Sequence, residues 1–130
     1  MTVDALPLRA SIDLPAAARS VPVARRIVRE LLTGWSAEAF CDDTLLLLSE
    51  LVTNVVRHVP DPDPMRVELA LTGPVLEVAV LDGSAVPPVP GGGRGNGGHG
   101  LQLVSAVSER WGSHRHVEGK RVWFELRRAG

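Results

Sequence analysis

Glu50, Asn54 and Arg57 follow one another at steps of four and three, in a stretch where Leu48, Leu51, Val52, Val55 and Val59 repeat as an apolar face. A carboxylate and a carboxamide one helical turn apart can point into one cavity. There they would serve as a general base beside an oxygen ligand for Mg²⁺, a cation that takes few protein ligands and leaves the rest to water and phosphate. Taken alone, the same residues are the ordinary content of a solvated helix face. Further along, Asp82 closes the apolar run 78–81 and is followed by Gly83 and Ser84. A carboxylate at a strand end can accept a hydrogen bond from an exocyclic amine, and a neighbouring glycine lets a flat base approach closely. A turn aspartate has the same local sequence. Third, Gly95, Gly97, Gly98 and Gly100 lead into Leu101, Gln102, Leu103 and Val104. Glycines before a helix N-terminus offer backbone N–H groups to a phosphate. No Lys-Ser or Lys-Thr pair follows, which excludes a P-loop, and a flexible linker has a similar composition.

The elements that must position these residues can be read from periodicity. Alternation from Leu6 to Leu14 predicts a half-buried strand, with Pro15 as the expected helix start. From Ala16 to Leu32, helical spacing of Val23, Ile27, Val28, Leu31 and Leu32 predicts an amphipathic helix whose basic face carries Arg19, Arg25, Arg26 and Arg29 and which stops at Gly34. Ser36 is the expected N-cap of a long second helix running to Val59. The prolines of Asp61-Pro62-Asp63-Pro64 make a turn. Met65 to Leu71 and Val75 to Leu81 read as a hairpin around Thr72, Gly73 and Pro74. The breaker-rich stretch Gly83 to Gly98 reads as a loop, Gly100 to Ser108 as a short helix, and Trp111 to His116 with Lys120 to Arg127 as a last hairpin. Hairpins with helices between them imply an α+β two-layer sandwich, a mostly antiparallel sheet with helices on one face.

Composition narrows the function classes. The 130 residues, 45% of them hydrophobic, fit a single domain spanning the whole chain. With 14 Lys+Arg against 15 Asp+Glu there is no basic field to hold nucleic acid. The single Cys41 cannot form an internal disulfide, and no long apolar run or leader-like segment is present, so a cytoplasmic protein without a membrane anchor is expected. His114 and His116 share a strand face without a third ligand at metal-binding spacing. Cys41, Trp35, Trp111 and Trp123 are read as packing residues, and His58 as a helix-terminal residue.

Together the three motifs are more specific than any one of them. SELVTNVVRH resembles the N box of the GHKL ATPases, the histidine-kinase-like proteins of the Bergerat fold. VLDGSAVPP resembles the first glycine box, GGHGLQLV the second, and GKRVWFEL the closing strand. The likeness runs from about Leu6 to Leu126 and is strongest to the stand-alone serine kinases that act as anti-sigma factors. It implies ATP and Mg²⁺ as cofactors, with Asn54 on the metal, Glu50 orienting or deprotonating the attacking hydroxyl, and Asp82 on the adenine amine. Ser84, Gly98, His99, Gly100 and Leu101 would complete the nucleotide contacts, and the loop between the glycine boxes would be the lid. Ser84 stands where many relatives carry glycine, and Val55 replaces a small residue.

The implied function is a transcription regulator that phosphorylates a serine on an anti-anti-sigma partner and sequesters a sigma factor, with a homodimer as one form it could take. An alternative is a nucleotide-gated binding module without phosphoryl transfer. A gyrase-like fragment is disfavoured by the lack of a further domain, and a histidine-kinase catalytic domain by the lack of a phosphoacceptor helix.

Overall fold

The computed structural model describes residues 6–58, 64–83, 99–116 and 119–128. Five strands form one antiparallel sheet: β1 (Leu8–Pro15), β2 (Pro64–Thr72), β3 (Val75–Asp82), β4 (Arg110–His116) and β5 (Gly119–Arg127). Their spatial order is β1-β2-β3-β5-β4, so β5 inserts beside β3 and leaves β4 on the edge. Among the described residues three α-helices accompany the sheet: α1 (Ser20–Gly34), α2 (Cys41–His58) and α3 (His99–Val107).

Alternation decides which sheet face carries the core. Met65, Val67, Leu69 and Leu71 of β2 are buried on one face, as are Leu76, Val78 and Val80 of β3 and Val122, Phe124 and Leu126 of β5. The register stacks these into cross-strand layers: Val67, Val80 and Val122; Leu69, Val78 and Phe124; Leu71, Leu76 and Leu126. Ala24, Val28 and Leu32 of α1 and Leu47, Leu48, Leu51, Val52 and Val55 of α2 close on the same cluster. The opposite face is charged, with Arg66, Glu68, Glu77, Arg121 and Glu125 at the alternate positions. This is the α+β sandwich with helices on one face that the sequence predicts. Among the described residues no helix is long and apolar enough to cross a membrane.

Two helix starts differ from the sequence reading. The first helix begins at Ser20 rather than Ala16, because the chain turns first: Ala17 N–H donates to the Pro15 carbonyl and Ser20 N–H to that of Ala17, while the Ser20 hydroxyl donates to Pro15 at 2.6 Å. Ser36 is not an N-cap. It adopts φ 56° and closes α1 instead, with its N–H on Thr33 O and the Ala37 N–H on Leu32 O at 2.7 Å. That is a Schellman closure with serine, rather than the expected Gly34, in the left-handed position. A 3₁₀ turn, Glu38–Phe40, then leads into α2. Val59, the expected end of that helix, lies outside the described residues.

Candidate functional site

Three helix faces of α2 do different work. Leu48, Leu51, Val52 and Val55 pack into the core. On the flank toward α1, Arg25 donates to the Leu45 carbonyl at 2.9 Å and to the Ser49 hydroxyl at 2.6 Å, fastening the two helices. Arg25 therefore leaves the exposed basic face on which the sequence reading placed it. Glu50 and Asn54 occupy the remaining side one turn apart, both only partly buried. Arg57 and His58 are exposed in the last turn, where cations complement the helix dipole. Along its length α2 also contacts α3 and β3.

Asp82 is the last residue of β3. By alternation it continues the inward row of Leu76, Val78 and Val80, and its side chain is 0% exposed. Directly across the ladder stands Lys120, the end of the inward row of Val122, Phe124 and Leu126. Its ammonium is 5% exposed, with Nζ 3.8 Å from Asp82 Oδ2. A buried ion pair thus caps the apolar layers at the end of the sheet where β3 stops.

At the start of β5 there is no room for a side chain on Gly119. Gly119 adopts φ 157°, and a Cβ on it would overlap the Asp82 carbonyl and stand 2.7 Å from Gly83 Cα. Only glycine permits that approach. It brings the first residues of β5 against the end of β3 and sets Lys120 beside Asp82.

Of the sequence-predicted residues, Glu50 and Asn54 share one side of α2, and Asp82 faces inward at the end of β3, a strand that α2 contacts. His99, Gly100 and Leu101 form the first backbone turn of α3, which packs along α2. Ser84, Gly98 and the proposed lid between them lie outside the described residues. Sequence reasoning missed Lys120 and Gly119. The period-two pattern of β5 carried a signal for Lys120, but its meaning required the β3–β5 register.

A family model for the histidine kinase-like ATPase domain matches residues 14–126. The chain belongs to that family. No curated protein matches the sequence. Among solved structures, the domain is similar to the RsbU and RsbW domains of Rv1364c from Mycobacterium tuberculosis, at 22% identity and a TM-score of 0.70. The match covers 95% of this chain and 32% of that one, so the histidine-kinase-like domain spans about a third of the length of its structural neighbour. At that identity the likeness supports the fold.

Elsewhere, a shallow depression of about 350 Å³ lies on the outer sheet face, lined by Arg9, Ser11, Glu68, Glu77 and Arg121 among others. None of the sequence-predicted residues borders it. Among the described residues no cluster of three or more His, Cys, Asp or Glu could hold a metal by protein ligands alone. A Mg²⁺ carried in with phosphates needs no such cluster.

Proposed function

We propose that this domain binds ATP with Mg²⁺ between α2 and α3 and acts as a serine kinase of the anti-sigma-factor type, phosphorylating an anti-anti-sigma partner and sequestering a sigma factor. The observation that carries the reading is Asp82. A fully buried carboxylate ion-paired with a buried lysine at a strand end, within a family of ATPase domains, is a costly arrangement of the kind that clusters at ligand sites. In this reading Asp82 accepts a hydrogen bond from the adenine amine. The Asn54 carboxamide oxygen holds the metal, and Glu50, one turn earlier, orients or deprotonates the attacking seryl hydroxyl. Backbone N–H groups of His99, Gly100 and Leu101 at the start of α3, and that of Gly98 before them in sequence, donate to phosphate oxygens, with the positive end of the helix dipole behind them. Ser84 borders the base, and residues 84–97 serve as the lid. ATP with its metal supplies the transferable phosphoryl group, and positioning and charge neutralisation supply most of the catalysis.

A thermal-shift series tests the binding step, since a ligand bound only by the native state raises the melting temperature by mass action. ATP with Mg²⁺ should raise it and GTP should do so less. Glu50→Ala separates kinase from binding module: a kinase loses phosphoryl transfer while keeping ATP and partner, whereas a nucleotide-gated clamp, which transfers nothing, loses little. Asn54→Ala should weaken ATP binding more with Mg²⁺ than without it, and an equal loss in both conditions would remove Asn54 from the metal.

A further inference from the structure

Two adjacent residues of β5 carry cations into different surroundings. Arg121 points to the outer face, where its guanidinium meets Glu77 at 2.7 Å and Glu68 at 3.7 Å. Lys120 points inward, against apolar layers, and its ammonium is almost wholly buried beside Asp82. Burying a long flexible cation in this position has a cost that a serine, threonine or valine would avoid. The pairing is also held in place from both sides. Asp82 and Lys120 are cross-strand partners in the β3–β5 ladder, and the missing Cβ of Gly119 lets the backbone close to within contact of Asp82 and Gly83.

A carboxyl group at the end of an apolar stack has two available forms. Left without a counter-charge in a low-dielectric site, it takes up a proton and becomes both donor and acceptor. Beside a fixed ammonium it stays ionised and accepts only. The two forms read different bases. An acceptor-only group selects a ring bearing an exocyclic amine and repels one bearing a carbonyl at the same position. A protonated carboxyl can satisfy either. The 3.8 Å contact is longer than a hydrogen bond, so Lys120 acts on Asp82 as a charge at close range.

We infer that Lys120 is a positioning residue for base recognition: it holds Asp82 as an anionic acceptor, and so makes the pocket select 6-amino over 6-oxo purine nucleotides. The inference rests on the ATP-binding reading above and adds to it the residue that sets specificity. Lys120 acts through Asp82.

Calorimetric titration of the whole chain with ATP and with ITP, both with Mg²⁺, provides the test, because ITP differs from ATP in carrying a carbonyl where adenine has its amine. The wild-type protein should prefer ATP. Lys120→Met keeps the aliphatic stem and removes the charge; it should shrink the ATP-to-ITP preference by about tenfold or more, the scale of one charge-assisted hydrogen bond. Lys120→Arg should retain most of the preference. In an Asp82→Asn background, Lys120→Met should change the preference no further, since two residues acting as one unit are non-additive. If Lys120→Met does not fold, the Arg variant and the Asp82→Asn double variant still decide the matter. Equal weakening of ATP and ITP by Lys120→Met, or loss of the preference in Lys120→Arg, would overturn the inference and leave Lys120 a structural or phosphate-facing cation. A wild-type chain that binds neither nucleotide would overturn the ATP reading itself, and one that binds both equally would remove Asp82 from base recognition.

Discussion

The two faces of the sheet treat charge in opposite ways. On the outer face, Arg66 meets Asp13 at 2.7 Å, Arg121 meets Glu77 at 2.7 Å, and Arg110 reaches Glu125 at 3.8 Å, with most of these side chains partly in water. Such pairs gain little, because solvent already stabilises each charge and salt screens the attraction. On the inner face, Asp82 and Lys120 are a buried ion pair at the end of apolar layers. Removing charges of that kind from water costs several kcal/mol per ion before their attraction repays it. A surface pair therefore needs no special role, whereas a buried pair at a strand end beside a proposed nucleotide cavity calls for one.

Neighbouring residues of β5 give the sharpest way to break this contrast. Phe124, fully buried, faces inward, and Phe124→Ala should cost about 3–5 kcal/mol in denaturant unfolding. A loss below about 1 kcal/mol would mean the inner layers are not packed as described. Next is Lys120→Met, which breaks the buried ion pair with Asp82 and should cost about 3 kcal/mol without ligand. Gly119→Ala should cost a similar amount, about 2–4 kcal/mol, since the new Cβ meets backbone and the left-handed φ is strained. By contrast Arg121→Met, one residue from Lys120 but facing outward, should cost about 1 kcal/mol or less. Equal losses for Lys120→Met and Arg121→Met would erase the distinction between the faces.

The smallest effect is expected at the Arg66–Asp13 pair. The hydrogen bond from Arg66, and behind it the Arg66 charge, hold the Asp13 carboxyl below its ordinary range. A depressed carboxylate contributes stability above its unfolded value and loses it as pH falls. Any difference between wild type and Arg66→Ala should therefore be confined to neutral pH and vanish in acid. Because both side chains are more than half exposed, melting curves at neutral pH and moderate salt should nearly coincide.

Much of the fold was legible because the strands obey period two. The alternation in Met65–Leu71 and Val75–Leu81 fixed two adjacent strands and put Asp82 at the end of one, as observed. Glu50 and Asn54 fell on one side of a helix whose apolar positions are the ones that pack. The errors came where local chemistry competes with propensity. Pro15 and the alanines after it resemble a helix start, yet the Ser20 hydroxyl and the turn at Ala17 spend their hydrogen bonds on a corner first. Ser36 has the side chain of an N-cap, yet the previous helix uses its backbone as a left-handed closure. Lys120 escaped notice because charge on an alternating strand reads as the solvated face. Only the cross-strand register, which brings it opposite Asp82, gives it a partner.

The central claim, that Asp82 marks the base-reading end of an ATP site, is tested most directly by calorimetric titration of ATP with Mg²⁺ into wild type and Asp82→Ala, with circular dichroism to establish that both are folded. The account predicts saturable binding of one ATP per chain by wild type and a weakening of about tenfold or more in the variant, the loss of a buried charge-assisted hydrogen bond. Indistinguishable affinities in two folded proteins, or no ATP binding by wild type at millimolar concentration, would contradict it.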